Sequence, residues 1–206
     1  MSSAAPDAAV ALVLVRHAET EWSRTGRHTG LTDIPLTDAG RATARALAPR
    51  LRRWRFERVL VSPLKRARET CDLSGLGERA EVLDDLHEWD YGEYEGLTTD
   101  EIRARRPDWD LWRDGCPGGE SPDQVGARAD RVIAAVSQAH GAVAVFSHGH
   151  MLRVIGARWI ELPPREGGRL GLSAGAISVL GHERETRVLS LWNETGAGAA
   201  QPALPS

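Results

Sequence analysis

At 206 residues, with 41% hydrophobic and 27% charged side chains, the chain has the make-up of a folded globular protein with one good core or two small ones. A net charge of −3 argues against nucleic acid or an anionic membrane as partner, so any anion-binding function must come from a local cluster of charge. Two cysteines, Cys71 and Cys116, with no CxxC and no Cys/His spacing, argue against a disulfide framework or a zinc site and for reduced thiols in a cytosolic, cytoplasmic protein.

Residues 1–8 are small and polar and are expected to be disordered; 195–206 ("TGAGAAQPALPS") form an expected disordered tail, leaving one domain over 9–194. The apolar stretch from Ala8 to Val15 is too short to span a bilayer and has no basic segment before it, so it reads as neither a membrane helix nor a signal peptide. Within it, "VALVLV" (10–15) is a continuous apolar run, as in a strand covered on both faces. Residues 36–54 read as a helix with Thr37 as N-cap and Leu47 and Leu51 on one face, and Pro49 should kink or end it. "RVLVS" (58–62) is a second strand, followed by a helix over 64–73, and "AEVL" (80–83) is a third strand. Residues 88–120 hold turns and short helices. A long amphipathic helix follows over 121–140, with Val125, Ala129, Val132, Ile133 and Val136 apolar. "AVAVFS" (142–147) is another buried strand, a helix runs over 150–160, and "AISVLGH" with "TRVLSLW" forms a closing hairpin or edge pair. This alternation predicts a three-layer α/β/α sandwich around a mostly parallel central sheet.

Three of the buried strands end alike: one in Arg16-His17, one in Ser62-Pro63-Leu64-Lys65-Arg66, one in Ser147-His148-Gly149-His150. In a parallel sheet the C-terminal strand ends lie along one edge, where ligands bind, so Arg16, His17, Arg66 and His148 can converge there. Two guanidiniums and two imidazoles suit a dianion with several oxygens, and arginine forks match phosphate. A neutral histidine among them can act as a nucleophile. With no glycine-rich phosphate loop and no Asp/His cluster at ligand spacing, the expected chemistry is phosphoryl transfer without metal or cofactor, the arginines holding the charge. A phosphate ester also needs a proton for its leaving oxygen. Glu88, Asp90, Glu93 and Glu95 are the acids on offer, because a carboxyl near a bound dianion can stay protonated.

"LVRHAETEW", "SPLKRARET", the Glu88 segment and "SHGH", in this order, resemble the histidine phosphatase superfamily, also called phosphoglycerate-mutase-like, over roughly Val10 to Trp192. The resemblance implies His17 as the phosphorylated nucleophile, Arg16, Arg66 and His148 as the rest of the phosphate pocket, and Glu88 as proton donor. It implies Thr29, Gly30, Tyr91 and Gly149 as substrate-side positions. Ser23 stands where the family commonly has a phosphate-contacting Asn, and Ala18 where it has Gly. Glu19 is expected to support the histidine loop. Mutases of the family resemble one another in a Lys eleven residues after the acid; Thr99 stands there, so the phosphatase reading leads. Phosphoglycerate mutase and a silent phospho-ligand-binding module are the alternatives. The implied partner is a small phosphorylated metabolite, broadly as for the branch's acid phosphatases and sugar bisphosphatases. Asp90 and Glu95 read as turn and surface residues, Arg105 and Arg106 as solvated charge, and His87, His140 and His182 as non-catalytic. His28 and His150 stand near the site, and Trp89, Trp109 and Trp112 either wall the pocket or pack together. Edge strands and exposed Trp side chains leave room for a homodimer.

Overall fold

The computed structural model describes residues 11–196. The segment 1–8 and all but two residues of the 195–206 tail therefore lie outside the described residues. Six strands form one sheet: β1 (Leu12–Arg16), β2 (Phe56–Val61), β3 (Ala80–Val82), β4 (Ala142–Ser147), β5 (Ile177–Glu183) and β6 (Thr186–Glu194). Their order is β3-β2-β4-β1-β5-β6. The first four run parallel; β5 is antiparallel to β1 and β6 to β5. The expected parallel sheet with a terminal hairpin is what forms.

Side chains alternate across this sheet with period two. Leu12, Leu14, Leu60, Val143 and Val145 point to one face and join Val125, Ala129, Val132 and Ile133 of helix α6 (Pro122–Val136) with Met151, Leu152 and Ile155 of α7 (Gly149–Trp159). Val13, Val15, Val59, Val61, Ala144 and Phe146 point to the other and join Leu47 and Leu51 of α2 (Asp38–Leu51) with Ala67 and Cys71 of α3 (Lys65–Leu73). The central strands are covered on both faces, which is why they read as unbroken apolar runs. The short helices α1 (Glu21–Arg24), α4 (Thr99–Arg103) and α5 (Leu111–Asp114) lie in the connections.

Several boundaries move for local reasons. Thr37 does cap α2, its hydroxyl accepting from Gly40 N at 3.0 Å. Pro49 sits in the last turn, where its missing N–H removes one helical bond, and α2 stops two residues later at Leu51. Helix α6 starts at Pro122 behind a capping box of Ser121 and Gln124, and ends at Val136, four residues short of the expected end. Ser137 closes it by donating its hydroxyl to Ile133 O at 2.7 Å. The exposed Trp side chains expected from the sequence are not found: Trp89, Trp109 and Trp159 are buried and the other four half-buried. Both cysteines are free and buried, their thiols pushed up to about 12 by burial. No helix among the described residues is long and apolar enough to cross a membrane.

Candidate active site

The parallel ladder delivers the first two residues. Arg16 pairs with Ser147 as the last rung between β1 and β4, and His17 N donates to Ser147 O at 2.9 Å. His17 and His148 therefore leave neighbouring strands side by side, their ring centroids 5.2 Å apart. His17 Nδ1 lies 2.8 Å from Ala18 O. A carbonyl can only accept, so the proton sits on Nδ1 and the lone pair on Nε2. Burial, then Arg66 and Arg16, hold the His17 pKa well below the usual imidazole value, so the ring is neutral.

Arg66, from the first turn of α3, is fully buried. Its Nε donates to His148 Nδ1 at 3.1 Å, and its terminal nitrogens donate to Thr32 O (3.0 Å), Thr29 O (3.0 Å) and Gly30 O (2.8 Å). Only one of the five N–H groups of this guanidinium is left uncommitted. Because His148 Nδ1 accepts, its proton is on Nε2, which faces Ser62 Oγ at 2.7 Å. Burial and Arg66 keep this ring neutral as well. Arg16 differs: one terminal nitrogen donates to Leu172 O, and its buried Nε has no hydrogen-bond partner. Gly149 makes room for it, since a Cβ there would stand 3.2 Å from the guanidinium carbon.

Glu88 is buried at the N-terminus of α7. Its Oε1 accepts from Trp89 N and Met151 N, each at 2.9 Å, and its Oε2 accepts from His150 N at 3.1 Å. Carboxylates favour helix N-termini, so this acid also caps a helix. The oxygen with spare capacity is Oε2.

These groups border a cleft of about 250 Å³ whose wall includes Arg16, His17, Ser23, Thr29, Glu88 and Tyr91. Gly30, Arg66, His148 and Gly149 stand behind that wall. Gly30 is committed to structure: its N–H donates to both oxygens of Glu95 (2.9 and 3.0 Å), and a Cβ there would come within 2.7 Å of Trp89 O. Ser23 spends its hydroxyl on capping α1, accepting from Thr20 N at 2.9 Å and donating to Thr20 O at 3.0 Å. Glu19 accepts from the Thr37 hydroxyl at 2.8 Å, tying the histidine loop to α2.

Glu95 corrects its reading as a surface residue. It also accepts from Thr32 N at 3.2 Å and so pins the 29–32 loop. Asp90 is the turn residue expected, its carboxylate accepting from Gly92 N at 2.9 Å. Arg105 and Arg106 are exposed. Trp89 meets Trp112 edge-on at 5.6 Å, Trp109 packs edge-on against Tyr94 at 5.2 Å, and none of the three lines the cleft.

One pair escaped sequence reasoning. Arg128 grips Glu120 through two bonds of 2.8 and 2.7 Å and donates to the carbonyls of Asp85 (2.8 Å), His87 (2.9 Å) and Glu88 (3.3 Å). Glu120 in turn accepts from Asp90 N at 2.9 Å. The clamp fixes the chain on both sides of Glu88. Its signal was present: Arg128 stands three residues after Val125 and four before Val132, on the apolar face of α6.

The buried imidazoles carry a consequence for stability. His17, His148 and His150 have pKa values well below the ordinary 6.5, and His28 is lowered to about 4, in each case chiefly by burial. Above pH 6.5 both folded and unfolded chains hold them neutral. Below it the unfolded chain takes up protons that the folded chain refuses, so stability falls as pH falls. Each such histidine costs up to about 1.4 kcal/mol per pH unit. The melting temperature should therefore drop between pH 6.5 and 5, before carboxylates titrate; a flat profile over that window would count against neutral buried rings.

Among the described residues no three His, Cys, Asp or Glu side chains are grouped as metal ligands. The model of the histidine phosphatase superfamily (branch 1) matches residues 12–195. An acid phosphatase of Mycobacterium tuberculosis is 43% identical over 90% of this chain and 93% of its own. The sedoheptulose 1,7-bisphosphatase of Saccharomyces cerevisiae is 39% identical over 73% and 67%. A 2,3-bisphosphoglycerate-dependent phosphoglycerate mutase of Mesorhizobium japonicum is 35% identical over 70% and 78%. The solved mycobacterial glucosyl-3-phosphoglycerate phosphatase superposes with a TM-score of 0.79 at 28% identity, covering 90% of this chain and 99% of that one. The sheet order, the strand-end histidines and these matches agree: the chain belongs to the histidine phosphatase superfamily, branch 1.

Proposed function

We propose that the protein is a metal-independent phosphatase that hydrolyses phosphomonoesters of small metabolites through a phosphohistidine. The observation that carries this is His17: its Nδ1–H is held by Ala18 O, which leaves Nε2 as a neutral nucleophile on a cleft wall shared with Arg16. In the first step Nε2 attacks phosphorus as the ester oxygen departs with a proton from Glu88. In the second, water attacks the phosphohistidine, Glu88 takes its proton, and His17 leaves. Arg16, on the cleft wall, offers its guanidinium charge to the phosphoryl oxygens. Arg66 and His148 act from behind, Arg66 by its charge and by fixing the His148 ring. The related acid phosphatase and sedoheptulose 1,7-bisphosphatase support hydrolysis as the outcome. So does Thr99, which puts a neutral hydroxyl on the cleft where mutases of the family resemble one another in a lysine. The free, buried thiols fit a reducing compartment, the cytoplasm.

Turnover of p-nitrophenyl phosphate in excess EDTA tests the reading. Activity should survive chelation and be inhibited by vanadate, which mimics the five-coordinate phosphorus. Loss of activity on chelation, restored by a divalent metal, would overturn it.

A further inference from the structure

The cleft has two unlike halves. Arg16, beside the neutral His17, makes one end cationic. The other end is built by His28, Tyr91, Thr99 and His150. The Tyr91 oxygen lies 2.6 Å from His150 Nδ1, the His28 and Tyr91 rings are 4.8 Å apart, and those of His28 and His150 6.2 Å apart. Burial drives Tyr91 well above its ordinary pKa and His150 well below, so the short contact joins a neutral phenol to a neutral imidazole. His28, lowered to about 4, is neutral too.

Two further cations stand nearby, each already paired or packed. Arg27, on the rim, donates to Gly96 O at 2.6 Å and pairs with Glu101 at 3.4 Å. Arg153 lies over the Trp112 ring at 4.4 Å, and its donors go to Gly167 O (3.0 Å) and Gly168 O (2.8 Å).

We propose that His28, His150 and Tyr91 form a binding site for uncharged hydroxyl groups of the leaving portion, so that the enzyme takes polyol and sugar phosphates and rejects esters whose leaving portion carries a carboxylate. The proposal rests on the phosphatase reading above. His150 spends one ring nitrogen on Tyr91 and keeps the other, His28 carries a donor and an acceptor, and a hydroxyl, itself both donor and acceptor, complements that set. A carboxylate has no donor to return, and the one further cation on the cleft wall, Arg27, is already paired with Glu101, so the desolvated carboxylate would gain little counter-charge.

Glycerol 3-phosphate and 3-phosphoglycerate test this as a matched pair, since they differ only in a hydroxymethyl group against a carboxylate. At pH 7 in EDTA, kcat/KM should favour glycerol 3-phosphate by about tenfold or more. His28→Arg adds a cation to the wall and should move the ratio at least about tenfold toward 3-phosphoglycerate. The ratio is read within one preparation, so a partly folded variant still reports it. His150→Lys, on the facing wall, repeats the measurement where His28→Arg does not fold. Turnover of p-nitrophenyl phosphate by the wild type, with equal or inverted efficiencies for the pair, would overturn the hydroxyl site and leave the phosphatase standing. A ratio that neither cationic variant moves would do the same. No turnover of any of the three esters would overturn both readings.

Discussion

His17→Ala should lower kcat for p-nitrophenyl phosphate by about 10⁴-fold or more, the scale seen when a covalent nucleophile is removed. Without Nε2 the reaction has no first step, and water would have to attack phosphorus in a cleft shaped for a side chain. The main chain of His17 keeps its bonds to Ser147 and Gly175 whatever the side chain, so the strand end stays in place. Radiolabelled substrate should leave an acid-labile, base-stable label on the wild type and none on the variant. Near-normal turnover in His17→Ala, or a label that persists, would sink the covalent mechanism.

Glu88→Gln should cost about 10²–10⁴-fold on alkyl or sugar phosphates, the usual size of general-acid catalysis, and distinctly less on p-nitrophenyl phosphate. An alkoxide is a poor leaving group and needs the proton; a nitrophenolate is a good one and needs it far less. The structure makes the difference between substrates the informative quantity. Glu88 also caps α7, so a glutamine there turns an amide donor toward backbone N–H groups and perturbs the site for every ester alike. That shared loss cancels in the comparison. Equal losses on both substrate types would assign Glu88 to the helix cap alone and remove it as the proton donor. Asp90→Asn should show little of the leaving-group pattern, because Asp90 spends its carboxylate on Gly92 N.

The parallel sheet and the meeting of Arg16, His17 and His148 were legible because both follow from local chemistry. Central strands covered on two faces must be continuously apolar, and a polar cluster just past such a run can only sit at the sheet edge. Arg66 was legible as a member of the site but not as one that faces inward. Its donors go to three carbonyls of a loop more than thirty residues away in the sequence, and no periodicity reports that. Glu95 and the Arg128–Glu120 pair were hidden for the same reason: each joins segments whose meeting depends on the finished fold. Arg128 alone left a trace, as a charge on an apolar helix face. Pro49 marked the end of α2 but not its exact residue, because a proline in the last turn costs only a bond that the helix was about to lose.

The two halves of the cleft owe their shape to different parts of the molecule. The nucleophile and its neighbouring histidine are set by rungs of the β1–β4 ladder, at the centre of the sheet. Of the facing walls, His28 and Tyr91 hang on loops tied by single carboxylates, Glu95 and Glu120, while His150 stands in the first turn of α7. Reactivity toward phosphorus is thus anchored in the most cooperative part of the fold, while the choice of alcohol is written in segments that can be recut without disturbing a strand. A lineage built this way can change its diet by editing loops and keep its chemistry.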